Sequence, residues 1–332
     1  MILLFAFGRR MLTVAAILLV VSALLFVALR LLVVDPAAMP PEEVGQAGVT
    51  DQPVPVQYAV WLGQVLGGDL GRSSHLRRPV GALLAEALPA TIELTLLAML
   101  VAGSLGLAGG LLLFALRGGG DGGEVGDAAA ETATTLLMSV PVLLWALLCV
   151  LAGGVLLEVV PFIGRLDPEL SRPVLTGFLL PDTLLAGDGR AFVSAAQHMV
   201  LPVLALGVAF APAAMRVLRA SLIEVYQSGY IQQARLRGVS ASDVLLEHAL
   251  RNAALPTLSL MGAQFGLLLG GALVVEVVFA YPGMGSLLVE AVRNADLAVI
   301  QAVGLAYCGV ALVVGAAVDG VRLALSPRLR PS

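Results

Sequence analysis

Uncharged apolar residues gather along this chain into six long runs. They are Met11–Val34 (broken only by Arg30), Leu94–Leu116, Thr132–Leu157, Ala191–Met215, Asn252–Val275 and Leu297–Val318. A transmembrane helix needs about 20 mostly apolar residues, and each run meets that length. The spans they predict lie at about 11–34, 91–116, 131–157, 193–220, 254–278 and 297–322. The first run exceeds the ~7–15 apolar residues of a signal peptide, and no convincing cleavage site follows it, so it reads as a retained anchor. Residues 35–90 and 158–192 are then outer segments. In the first, Pro36, Pro40, Pro41, Pro53 and Pro55 predict extended chain. A short amphipathic piece follows near Tyr58 to Leu66, and the GDLGRS run at 68–73 predicts a turn. GGGDGGEVGD at 118–127 predicts a flexible loop. The pattern is that of an all-α membrane protein with six transmembrane helices, a single membrane domain over residues 1–332.

Composition supports this class. Charged residues are 13% and hydrophobic residues 59%, where a soluble domain carries about 25% charge. Arginine placement sets the orientation. With six spans both termini share a side, and that side holds eleven of the 19 basic residues but only eight acids. The other side holds eight arginines and fifteen acids. Both termini, and the polar stretch between the fourth and fifth spans, are predicted to be cytoplasmic.

The chain contains no lysine, so it cannot form the G-K-[ST] of a phosphate-binding P-loop. If it runs on ATP, another subunit binds it. Gly118, Gly120 and Gly123 fit G-x-G-x-x-G, but no strand precedes them, and low complexity accounts for the match. Ionisable groups at bilayer depth cost about 2.5–3.5 kcal/mol each. Glu93, Glu131, Glu276 and Asp319 all fall near span ends, and His198 lies near the outer end of the fourth span. A proton or ion relay is therefore disfavoured. Cys149 and Cys308 sit in apolar runs and predict neither a disulfide nor a metal site. Gly262, Gly266 and Gly270 recur every four residues on one face of the fifth span, a spacing that lets helix backbones approach closely.

The stretch YIQQARLRGVSASDVLLEHALRNAALP, residues 230–256, is polar against this background. Ala234 to Gly238 predicts the end of a helix, with Gly238 as its cap. Ser240 and Asp243 fit a loose capping box. They predict a short helix from about Ala241 through His248 that presents Val244, Leu245 and Leu246. Such a helix, flanked by Arg235, Arg237 and Arg251, suits either an anionic lipid surface or a groove on a soluble partner.

This stretch resembles the EAA loop of ABC importer permeases, in the version of the dipeptide/oligopeptide/nickel family. The resemblance rests on Tyr230, Ala234, Arg235, Gly238, His248, Ala249, Leu250, Arg251, Asn252 and Pro256. GDLGRS at 68–73, LPATIEL at 88–94, VVEVVFAYPGMG at 274–285 and SPRLR at 326–330 resemble further segments of that family in the same order. The chain departs at Gln232, where the family carries an acid, at RLLVVDPAA, which lacks a glycine before Asp35, and at Ser326. The resemblance implies a type I importer permease that is not itself an enzyme. It implies a homologous second permease, two ABC ATPase subunits holding ATP and Mg, an extracytoplasmic substrate-binding protein, and no nucleic acid. Ala234, Arg235, Gly238, Ser240, Asp243, Val244, Leu245, His248, Arg251 and Asn252 would then couple to the ATPase over a loop at 224–253. Glu276, Phe279, Pro282, Gly283 and Gly285 would form an outer gate or binding-protein contact. Peptides are the implied cargo, with nickel, metal chelates or sugars as alternatives. A stand-alone secondary carrier is the competing class, distinguished by whether P-loop subunits co-purify.

Overall fold

The computed structural model describes residues 2–32, 52–116, 124–171 and 175–325. The stretch with Pro36, Pro40 and Pro41, the glycines of 118–123 and SPRLR at 326–330 lie outside them. The described residues form helices and turns, with one isolated pairing of Arg72 with Pro79. In chain order come α1 (Ile2–Leu32), α2 (Val54–Leu66) and α3 (Val80–Leu116). Then follow α4 (Glu124–Ser139), α5 (Val142–Leu156), α6 (Leu179–Leu185) and α7 (Gly189–Tyr226). The last are α8 (Gly229–Leu236), α9 (Ala241–Val278), α10 (Met284–Arg293) and α11 (Leu297–Leu325).

Among the described residues, α3, α7, α9 and the Leu297–Val318 part of α11 are long and apolar enough to cross a membrane. A fifth span arises if α4 and α5 count together, and α1 is apolar over Thr13–Leu29. Three sequence expectations change. The run at 131–157 is not one helix, because α4 and α5 meet at an 84° bend. Pro141 sits at that bend. It offers no N–H and pushes the preceding Val140 out of helical geometry. The loop at 118–127 gives way to helix from Glu124 onward. The short helix from Ala241 does not stop at His248; it continues without a break to Val278. Wide π-helical turns over Val244–Ala249 carry it into the span.

The chain divides into two compact units, Met1–Thr91 with Pro282–Val313 and Ile92–Tyr281 with Val314–Ser332. In the first, Val80, Leu83, Met284, Val299 and Val303 form a buried core. Asp296, itself buried, holds the GDLGRS turn beside it. Its carboxylate accepts from Ser73 Oγ at 2.5 Å and caps the start of α11 through Val299 N–H at 3.3 Å. In the second unit, α7 and α9 pack side by side. Within a bilayer, close packing rather than water exclusion holds helices together, and small residues mark the contacts. A side-chain carbon on Gly106 would lie 2.5 Å from Ala214, one on Gly207 2.6 Å from Val101, and one on Gly271 3.1 Å from Leu206. Asp188 starts α7, accepting from Arg190 N–H at 3.1 Å and Ala191 N–H at 3.0 Å.

Candidate functional site: the polar loop and the outer turn

The polar loop is built on an internal apolar cluster. Phe114, Leu218, Leu222, Tyr226, Ile231, Val244, Ala249 and Ala253 are buried together. Gly238 ends α8 in left-handed geometry, φ +79°. Gly238 N–H donates to Arg235 O at 3.0 Å and Val239 N–H to Ala234 O at 3.2 Å, the double closure of a Schellman turn. Ala234 and Val239 both pack on the apolar cluster, so the turn is fastened from inside. Ser240 Oγ then accepts from Asp243 N–H at 3.2 Å and starts α9.

Side-chain contacts tie the two arms of the loop together. Asn252 Nδ2 donates to Tyr230 Oη at 2.9 Å and to His248 O at 3.1 Å. The Arg235 guanidinium lies 5.0 Å from the centre of the Tyr226 ring. Burial raises the Tyr226 phenol above its ordinary value, and the Arg235 charge partly opposes this.

The predicted coupling residues therefore separate into two groups. Val244 is buried, and Ala234, Leu245 and His248 are half-buried, so they shape the loop rather than its surface. Arg235, Gly238, Ser240, Asp243, Arg251 and Asn252 are exposed. Two apolar side chains dominate the outward face: Leu236, 88% exposed, which the sequence did not single out, and Leu246, 57% exposed, one of the three that the sequence presented. Only the fixed direction of α8 and α9 separates Leu246 from its neighbour Leu245.

At the other end of α9, Glu276 and Phe279 are fully buried. Ala280, at φ +47°, is exposed, as is Val277. Pro282 is exposed while Gly283 and Gly285 are buried in the first unit. The long segment before α6 is fixed to the end of α9 within the second unit. Gly164 N–H donates to Phe279 O at 2.9 Å, and Arg165 Nε donates to Tyr281 Oη at 3.0 Å. Arg165 also pairs with Glu93 of α3, and both are buried. Glu93 accepts two further N–H groups from the first turn of α6, Leu179 at 3.1 Å and Leu180 at 2.8 Å. Tyr281 is fully buried, which raises its phenol well above the ordinary value. Arg165 carries no sequence signal, being one arginine in an irregular segment.

The fifth-span glycines have different surroundings. A side-chain carbon on Gly262 would collide with Val318 of α11, whereas one on Gly266 or Gly270 would meet no described atom of another element within 4 Å.

Residues 106–331 match the model of the family described as binding-protein-dependent transport system inner membrane component. The chain belongs to that family. Its relatives extend the match over nearly the whole length. It is 35% identical over 280 residues to the di/tripeptide transport system permease protein DppB of Pseudomonas aeruginosa (strain UCBPP-PA14), covering 84% of this chain and 82% of that protein. It is 34% identical over 284 residues to the dipeptide transport system permease protein DppB of Escherichia coli (strain K12), with the same coverage. It is 34% identical over 333 residues to the glutathione transport system permease protein GsiC of Pectobacterium atrosepticum, covering 98% of each. This permease is thus an inner-membrane transport subunit of a binding-protein-dependent system.

Proposed function

We propose that this permease forms half of the pathway of an ATP-driven type I importer for peptides. The observation that carries the reading is the near full-length similarity to permeases named for dipeptides, di/tripeptides and glutathione. The chain forms one permease domain that crosses the inner membrane six times, with both termini in the cytoplasm. It pairs with a homologous second permease and receives substrate from an extracytoplasmic binding protein. Two ATPase subunits hold ATP and Mg, and this chain itself is not a catalyst.

In this reading the loop at 224–253 docks in a groove of the ATPase. Leu236 and Leu246 are the apolar anchors, with Arg235, Arg237 and Arg251 at the rim. Their exposure on a loop fastened from beneath supports this role. The outer turn at Phe279–Gly285 closes the pathway, with Glu276, Phe279 and Tyr281 as its internal support. Gly266 and Gly270 leave room for a helix of the second permease.

The test is co-purification of the complex with Leu246→Arg. The expected result is a chain inserted at normal level that no longer retains the P-loop subunits and does not transport peptide. Retention of those subunits at wild-type level together with normal uptake would refute the docking role. Reporter fusions at each terminus and at residues 117–123 test the six-span orientation.

A further inference from the structure

The helix α2 follows the first span and precedes GDLGRS, in what the sequence presents as an outer segment. Its contacts place it deeper. The hydroxyls of Tyr58 and Ser22 are 2.7 Å apart, and both reach the Leu19 carbonyl, at 3.1 Å and 2.9 Å. One turn further along both helices, the Phe26 ring meets Trp61 at 5.5 Å and Tyr58 at 5.6 Å.

In the sequence, Arg10 and Arg30 bracket nineteen uncharged residues of α1. At about 1.5 Å per residue these span about 28 Å, close to the ~30 Å hydrocarbon thickness of a bilayer. Ser22 precedes Arg30 by eight residues, so it lies about 12 Å inside the outer boundary. Tyr58 lies at the same depth, since a hydrogen bond joins them.

The composition of α2 suits that position. VPVQYAVWLGQVL, 54–66, has no charged residue. The side turned away from α1 exposes Val56, Val60 and Leu66, a face that would be unfavourable in water and costs nothing against lipid. Tyr58, Gln57 and the C-terminal backbone are answered inside the protein, as a bilayer demands, while Gln64 is exposed. Besides the Tyr58 contacts, Gln57 Nε2 donates to Gln52 O at 2.7 Å. Gly67 and Asp69 N–H close the C-terminal end on Gly63 O and Gln64 O, at 3.0 and 2.9 Å. Thirteen residues reach only about 20 Å and cannot cross, and the chain continues to the charged GDLGRS turn.

We infer that α2 is a re-entrant helix inserted into the outer leaflet, its valine face packed against phospholipid acyl chains. The inference rests on α1 being the first span of the proposed topology. It adds that α2 anchors α1 laterally through the Ser22–Tyr58 contact.

The test uses tryptophan, of which the chain has two. Trp145→Phe leaves native Trp61 as the reporter in the full-length chain, reconstituted in phosphatidylcholine vesicles with brominated acyl chains. Roughly half or more of the Trp61 emission should be lost to the bromines, and aqueous iodide should leave it unchanged, as for an indole level with Phe26, about 6 Å inside the outer boundary. A second chain, carrying Val20→Trp with Trp61→Phe and Trp145→Phe, reports on α1 itself. Quenching at position 20 together with iodide quenching of Trp61 would overturn the inference and leave the topology standing. Quenching at position 20 with Trp61 shielded from both agents would mean that protein covers α2, and would also overturn it. Iodide quenching at both positions would remove α1 from the bilayer and overturn both readings.

Discussion

The buried pair of Glu93 and Arg165 gives a prediction about which partner matters more. Removing one partner of a buried ion pair typically costs about 3–5 kcal/mol, because the other charge stays buried. The two deletions differ here in what they leave behind. After Arg165→Met, Glu93 still accepts the N–H groups of Leu179 and Leu180, at 3.1 and 2.8 Å. The cost should fall near 3 kcal/mol, the lower end of that range. After Glu93→Gln, Arg165 keeps only Tyr281 Oη and a long 3.4 Å contact to Gly177 O, and its Nη1 is already buried without a partner. One α6 N–H also loses its charged acceptor. That cost should approach 5 kcal/mol. At about 2 °C per kcal/mol for a chain beyond 150–250 residues, the thermal midpoints fall by about 6 and 10 °C. The assay is thermal unfolding of the purified full-length chain in lipid nanodiscs, followed by tryptophan emission. The double variant Glu93→Leu/Arg165→Met should be more stable than Glu93→Gln, since no charge remains buried. Equal shifts, a reversed order, or a double variant equal to the sum of the singles would refute the reasoning.

Gly238→Ala places a side chain at φ +79°, where nothing crowds it, so its cost should be only the left-handed strain of about 1–2 kcal/mol. Gly238→Asn should cost less, both read as protease sensitivity of the loop in membranes. Gly262→Leu should destabilise the isolated chain by about 1–3 kcal/mol through overpacking on Val318. Gly266→Leu and Gly270→Leu should leave the isolated chain unchanged and reduce co-purification of the second permease. Burial alone would raise the Asp182 carboxyl, but Thr176 Oγ1 and the N–H groups of Leu175, Thr176 and Gly177 hold it below the ordinary carboxylate value. Its stabilising contribution should be complete above about pH 4 and lost as pH falls through the lowered value. Asp182→Asn should abolish that acid-dependent loss in hydrogen exchange at 175–182.

Much of this was legible because apolar run length reports directly on helices that lipid must surround. The start of α9 could be read from capping chemistry at Ser240, whereas the Asp188 cap of α7 emerged only from the structure. Gly238 was legible because few residues other than glycine sit at positive φ. What escaped was direction. Whether Leu245 or Leu246 faces outward depends on the wide turns at Val244–Ala249, which shift the helical phase and leave no mark in composition. Glu276 looked like a surface acid because charge near a span end usually meets water; tertiary packing buries it. Pro141 did announce the bend between α4 and α5, but hydropathy averaged over the run hid it. Arg165 could not be found, since its partner Glu93 stands 72 residues away.

The unbroken course of α9 has a mechanical consequence. Thirty-eight helical residues make a rod about 57 Å long, with Leu246 near one tip and Phe279 just past the other. A rod of that length tilting by about 5° about one end carries the other through about 5 Å, a full helical turn. In the proposed function, a load at the polar loop would reach the turn after Phe279 as displacement, without any chain of side-chain rearrangements in between. The span itself is the stiff member, and its weak points are the six residues of wider winding and Pro256, which lacks the N–H of an internal helical hydrogen bond.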